Sequence, residues 1–390
     1  EIMRSAYNEV WLYNLEVVKE TKGWLKAKLI DEPEFKTIFE NHPTSFYHPN
    51  FVIRLLIFVA TLIGLSGVTG VLALIILDTN EMVISIGCLF YGIGSFVILD
   101  KTIIQNNKHY KSGLTEALMY HACGFTIGGF AGLFDFEILP LLAISLVTLS
   151  FAAYRYLDLL TTVASFFTLA YLLFHLFFDW GGIFQQIIPF MFILIFIPIY
   201  LLIKKWKSTE RLSIWNNNFI IIESLSLLMI YLAGNYLVVR ELSVNMIGLS
   251  LEIGEDIPYA FLFYTLTVLI PVAYLYVGIV NKDIVILRTS LLVLAFSVFT
   301  FKYYYGFDHP EIILTISGII LLAIALLLFN YLKVIRNGFT RENLISEKWT
   351  NMNAEAFVIS QTLGGNQVKV DGSFQGKGGS FGGGGSSGSF

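Results

Sequence analysis

Residues 113–133 read Gly-Leu-Thr-Glu-Ala-Leu-Met-Tyr-His-Ala-Cys-Gly-Phe-Thr-Ile-Gly-Gly-Phe-Ala-Gly-Leu. The stretch is apolar enough to cross a bilayer, yet it carries Glu116 and His121. Glycine recurs every fourth residue, at Gly124, Gly128 and Gly132, which on a helix makes one smooth stripe for a close neighbour. A carboxylate and an imidazole are costly against lipid, so this span is expected inside a bundle of others.

The rest of the chain supplies those others. Of 390 residues, 56% are hydrophobic and 14% charged, against about 25% charged in soluble domains, so lipid is the expected solvent. Mean hydropathy is positive. The 34 Phe and 20 Tyr fit a lipid-facing body with aromatic belts at its interfaces. Apolar runs fall at 51–77, 82–99, 113–133, 138–153, 159–178, 183–203, 219–238, 259–280, 284–301 and 311–332, giving an all-α bundle of about ten spans.

Charge sets the expected orientation. Arg4, Lys19, Lys22, Lys26, Lys28, Lys36 and Arg54 precede or open the first span. Alternate connections add Lys101, Lys108, Lys111, Arg155, Lys204, Lys205, Lys207, Arg211 and Lys282, and residues 333–390 add six more cations. The opposite connections hold only Arg240 and Lys302, beside Asp78, Glu81, Asp135, Glu137, Asp179, Glu255 and Asp256. Lys/Arg excess marks the cytoplasmic side, so both termini are expected there.

Around the bundle, residues 1–50 read as a cytoplasmic helical hairpin. Val17, Val18, Trp24, Leu25 and Leu29 suggest an apolar face on its first helix, and Phe35, Ile38 and Phe39 one on its second. Asp31-Glu32-Pro33-Glu34 offers a capping box opening that second helix. Asn41-His42-Pro43 and Tyr47-His48-Pro49 then turn the chain into the membrane. His42 and His48 suit either metal ligation or plain exposed turns. The connection 239–258 reads as a short strand or an interfacial segment. Residues 333–371 are polar, and the Gly/Ser-rich stretch 372–390 is expected to be disordered and cytoplasmic. The chain opens on Glu1 rather than Met, leaving room for residues upstream, and no charged-then-apolar leader is visible at its start.

Intramembrane polar residues are the candidates for function. Glu116, Glu223 and Arg288 each lie about one turn inside the cytoplasmic boundary, as either an ion or proton gate or structural ion pairs. His121 lies roughly 12 Å in, as either a proton relay or a satisfied core histidine. His175 and Asp179, spaced i,i+4, with Gln185 and Asn235 at a similar level, make a candidate outer vestibule. Gly64, Gly67 and Gly70, and Gly87, Gly92 and Gly94, are expected at helix contacts, while Pro140, Pro189, Pro198 and Pro271 are candidate breaks. Cys88 and Cys123 are expected as free thiols. No Cys/His spacing suggests zinc, and neither cofactor nor nucleic acid is expected. Gly64-Leu65-Ser66-Gly67 resembles the serine motif of rhomboid-type intramembrane proteases, but Ser66 lies about 16 Å deep and His175 about 5 Å, too far apart to act together.

The run Trp24-Leu25-Lys26-Ala27-Lys28-Leu29-Ile30-Asp31-Glu32, then Phe35, Ile38 and a glycine-containing span, resembles bacterial predicted-membrane-protein families of unknown function. The resemblance covers about residues 10–100 and implies a bacterial inner-membrane location, but no activity and no site residues. Two functions are expected to compete: a small-solute or ion permease, and a non-transporting scaffold or sensor whose hairpin and tail recruit a cytoplasmic protein partner.

Overall fold

The computed structural model describes residues 5–76, 79–246, 248, 255–304 and scattered positions from 315 to 333. Two short helices come first, α1 (Glu9–Lys26) and α2 (Glu32–Asn41). The long ones follow: α3 (Phe51–Ile76), α4 (Glu81–Ile98), α5 (Leu114–Leu133), α6 (Ile138–Tyr156), α7 (Leu159–Asp179), α8 (Ile183–Lys207) and α9 (Asn216–Gly234). After α9 come the short α10 (Tyr236–Asn245), then α11 (Ala260–Val280) and α12 (Ile284–Tyr304). No strand forms among the described residues; the one isolated bridge joins Tyr47 to His109.

Eight of these helices are long and apolar enough to cross a membrane. The third expected span, 113–133, is α5, whose 20 residues rise about 30 Å but whose Glu116, His121 and glycines leave it less apolar than its neighbours. It is paired with α4 and α6, and half of its residues are buried. The tenth expected span, 311–332, the polar segment after it and the Gly/Ser tail lie wholly or mostly outside the described residues, as does most of 247–254.

The capping box forms as read: Glu34 N–H donates to Asp31 Oδ1 at 2.9 Å and Asp31 N–H to Glu34 Oε2 at 3.0 Å. The apolar face expected of α1 does not. Leu12, Asn14 and Thr21 are its buried residues, whereas Trp24 and Leu29 are exposed. The reason is docking: the start of α1 packs into the bundle end, with Tyr7 and Leu12 joining Leu99, Ile104, Met119, Tyr156 and Trp215 in one cluster.

Three further expectations change. Pro189, Pro198 and Pro271 do not break α8 or α11, which run through them, and Pro140 falls in the first turn of α6, where a missing N–H costs nothing. The span expected at 219–238 ends at Gly234, because the Asn235 backbone turns extended and its side chain caps a new helix, α10. The glycine stripe of α5 packs only at Gly132, and the close contact is made mainly by a neighbouring face. Gly129 and Gly132 press on Ser85 and Leu89 of α4, and Gly92 of α4 presses on Thr126 and Ala122, while Gly124 and Gly128 face open space, as do Gly64, Gly67, Gly70 and Gly94. Cys88 and Cys123 are both free.

Candidate functional site

The starts of α3, α5, α7, α9 and α12 and the ends of α4, α6, α8 and α11 meet at one end of the bundle, and polar side chains bind them there. Arg54 of α3 pairs with Glu116 of α5 at 2.6 Å, and Glu116 also accepts from the Gly113 N–H (2.7 Å) and the Thr115 hydroxyl (2.8 Å). Past α4 the chain widens into a π-helix, Leu99–Asn106. Its Asp100 accepts from Arg155 Nε (3.1 Å) and Nη2 (2.5 Å) at the end of α6. Asp158 caps α7 and accepts the Tyr120 hydroxyl at 3.1 Å. The Asn218 amide of α9 reaches both the Asp158 carbonyl (3.2 Å) and the Thr162 hydroxyl (2.6 Å). Lys204 faces Asp283 at 3.4 Å, and Lys207 donates to Glu223 at 2.9 Å. Buried carboxylates require such cations, since an unpaired buried charge is strongly unfavourable.

A column of buried polar groups runs from this end through the α9–α11–α12 unit. On α9 it comprises Glu223, Ser226, Tyr231 and Asn235, all with no exposed surface. Glu223 to Asn235 spans about 18 Å of helix. α12 adds Ser290, Ser297 and Thr300, and α11 adds Thr267, each at most 5% exposed. Asn235 Nδ2 donates to the Tyr231 hydroxyl (2.8 Å) and to Thr300 (2.9 Å), and Ser297 donates to the Thr267 carbonyl (2.9 Å). At the far end the Tyr236 hydroxyl donates to Asp256 (2.6 Å) and accepts from Arg240 (2.9 Å), its ring stacked 4.1 Å from Tyr264. The gap enclosed by Tyr236, Tyr264, Thr267, Thr300, Phe301 and Tyr304 is too small for a water molecule. Among the described residues, this gap gives the column no opening wide enough for water. Near its other end, Glu223 Oε1 is buried with no hydrogen-bond partner among the described residues.

No protein family, curated protein or solved structure matches the chain. Its function has to be read from this geometry.

The residues singled out from sequence fall in different places. Glu116 and Glu223 both lie at the ion-paired end, but each is held by a separate cation, Arg54 and Lys207, rather than in one joint layer. Arg288 is half-buried in α12, in the turn after the Asp283 cap. His121 is half-buried, its Nε2 3.1 Å from the Tyr91 hydroxyl and its ring 4.6 Å from that of Phe125. His175 Nδ1 lies 3.0 Å from Asp179, and Gln185 donates to the Phe178 carbonyl at 3.1 Å, tying the end of α7 to the start of α8. Asn235 does not belong to that vestibule: it is wholly buried in the column. His42 bonds the Ile38 carbonyl (2.9 Å) and serves as a helix-end cap.

Sequence reading missed Asp100, Asp158, Tyr120 and Asn218, which look like ordinary boundary polars. It also missed the hydroxyl column, whose signal was present: Ser290 and Ser297 are spaced i,i+7 and Thr300 follows at i+10, one face of α12.

Proposed function

We propose that this multi-pass membrane protein is a small-solute or ion permease in a closed state, its path following the polar column and its gate the Lys207–Glu223 pair. The observation that carries this reading is Glu223: a wholly buried carboxylate near one mouth of a buried polar track, with one oxygen paired and the other not. Asp100 Oδ1 is likewise without a hydrogen-bond partner among the described residues, but Glu223 is the one of the two that sits in the buried column, where a permeating cation or proton would meet it. The proposal keeps ten spans, both termini in the cytoplasm and a bacterial inner-membrane location, on the strength of the Lys/Arg asymmetry. Lys204, Lys207, Arg155 and Arg54 gathered at one end support that asymmetry.

The test is flux of protons, Na+ and K+ into dye-loaded proteoliposomes. Wild type is expected to conduct at least one of them, and Glu223→Gln to lower that flux at least tenfold, with His121→Ala near wild type because His121 is not in the column. Silence of the wild type for all three ions and for small neutral solutes would end the permease reading. A scaffold or sensor is the second reading, favoured by the exposed Val10, Tyr13, Leu29 and Phe39 of the hairpin, which offer an apolar surface to a cytoplasmic partner. Deleting residues 333–390 without loss of any bound partner removes the tail from that role.

A further inference from the structure

Three residues ahead of α1, Ser5–Tyr7, are inserted into the ion-paired end of the bundle and are 1–4% exposed. They are not helical. Ala6 N–H donates to the Arg155 carbonyl at 2.9 Å, and Arg155 Nη1, whose other nitrogens hold Asp100, reaches the Ser5 carbonyl at 3.4 Å. The Tyr7 ring stands edge-on to Tyr110 (5.0 Å) and Phe46 (6.0 Å). The ring belongs to the buried cluster of Leu99, Met119, Tyr156 and Trp215, and burial raises its hydroxyl well above the usual pKa, with Tyr110, Glu116, Tyr156 and Asp158 raising it further.

We propose that Ser5–Tyr7 is a removable plug, an autoinhibitory contact that closes the α4–α7 end of the bundle over the Asp100–Arg155 pair. The geometry suits release. Asn8 caps α1, its side chain accepting from the Val10 and Trp11 N–H groups, so the plug can swing out on Asn8 without unwinding a helical residue. Among the described residues, its backbone hydrogen bonds to the bundle are the two with Arg155, one short and one long. Arg155 thereby links two events: a change at Asp100 alters the seat of Ser5, and loss of Ser5–Tyr7 frees a guanidinium nitrogen beside Asp100. As a gate, the plug rests on the permease reading; as a cover, it stands without it.

The test uses the full chain in proteoliposomes, with Cys88→Ala and Cys123→Ala removing native thiols. Ser112→Cys, wholly buried two residues from Tyr110, reports on the covered end, and Ser297→Cys in the column reports on general loosening. Adding Tyr7→Ala is expected to speed maleimide labelling at position 112 at least tenfold. Ala6→Pro, which removes the N–H donated to Arg155, gives a smaller rise, and Tyr7→Phe leaves the rate near wild type. Labelling at 112 that stays slow in both Tyr7→Ala and Ala6→Pro overturns the plug, as does an equal rise at 297 in both. Faster labelling at 112 with no flux of any ion or small neutral solute upholds the plug and defeats the permease.

Discussion

Replacing Lys207 with methionine isolates the one pair on which the proposed path depends. Nζ lies 2.9 Å from Glu223 Oε2, with Glu223 wholly buried and the lysine side chain 26% exposed. At that separation the gross attraction is about 6 kcal/mol for an effective dielectric constant of 20, and desolvation offsets most of it. Lys207→Met removes the attraction but leaves the buried carboxylate, so the expected cost is about 3–5 kcal/mol. Glu223→Gln is milder, about 1–2 kcal/mol, because the stranded lysine is already partly exposed and can turn outward. Changing both, Lys207→Met with Glu223→Leu, is expected to return stability to within about 1 kcal/mol of wild type, since neither charge then needs a partner. Reversible unfolding of wild type and the three variants in mixed micelles, followed by tryptophan fluorescence, measures these differences. Lys207→Met within 1 kcal/mol of wild type, or a double variant as unstable as the single, would refute the assignment of Glu223 as a charge dependent on Lys207.

Two more outcomes are expected. A Cβ on Gly129 falls 2.8 Å from the backbone of Ser85 and Leu89, whereas one on Gly128 meets nothing within 4 Å. Gly129→Ala should therefore lower stability by about 1–3 kcal/mol by prising α5 from α4, with Gly128→Ala near neutral, as thermal unfolding in detergent will show. Burial lowers the pKa of His48 and of His109 in the loops at the docked hairpin. The folded chain then binds fewer protons than the unfolded one, so this contribution is complete above about pH 6.5 and is lost as pH falls through the lowered values. Unfolding midpoints should drop between pH 7.5 and 5.5, and His48→Asn with His109→Asn should flatten the slope; an unchanged slope would exclude both residues.

Much of this architecture was legible in the residues. Apolar runs gave helix bounds to within about a turn at most ends, and Asp31 with Glu34 announced the start of α2, because both signals are local. Glu116 and Glu223 stood out since carboxylates in apolar runs are costly wherever they sit. Their partners did not. Lys207 counts as a loop charge until the path of α9 brings position 223 beneath it, 16 residues later. Asn235 looked like an interface polar, because nothing in its neighbours announces that its side chain would cap α10 while its amide holds Thr300. Glycine spacing identified which faces are smooth, but not which of them a neighbour would choose, and α4 chose the face of Gly129 over that of Gly124 and Gly128.

The ion pairs Arg54–Glu116, Asp100–Arg155, Lys204–Asp283 and Lys207–Glu223 join helices at the same end of the bundle, and this has a mechanical consequence. The Arg54–Glu116 and Asp100–Arg155 pairs clamp α3 to α5 and α4 to α6 like rods held in a vice, while Gly64, Gly67 and Gly70 further along α3 touch nothing. A rod fixed at one tip bends most at the other. Thermal breathing of α3 should grow steadily with distance from the clamp, so that the residue that ties it to α5 also decides which way it can spread.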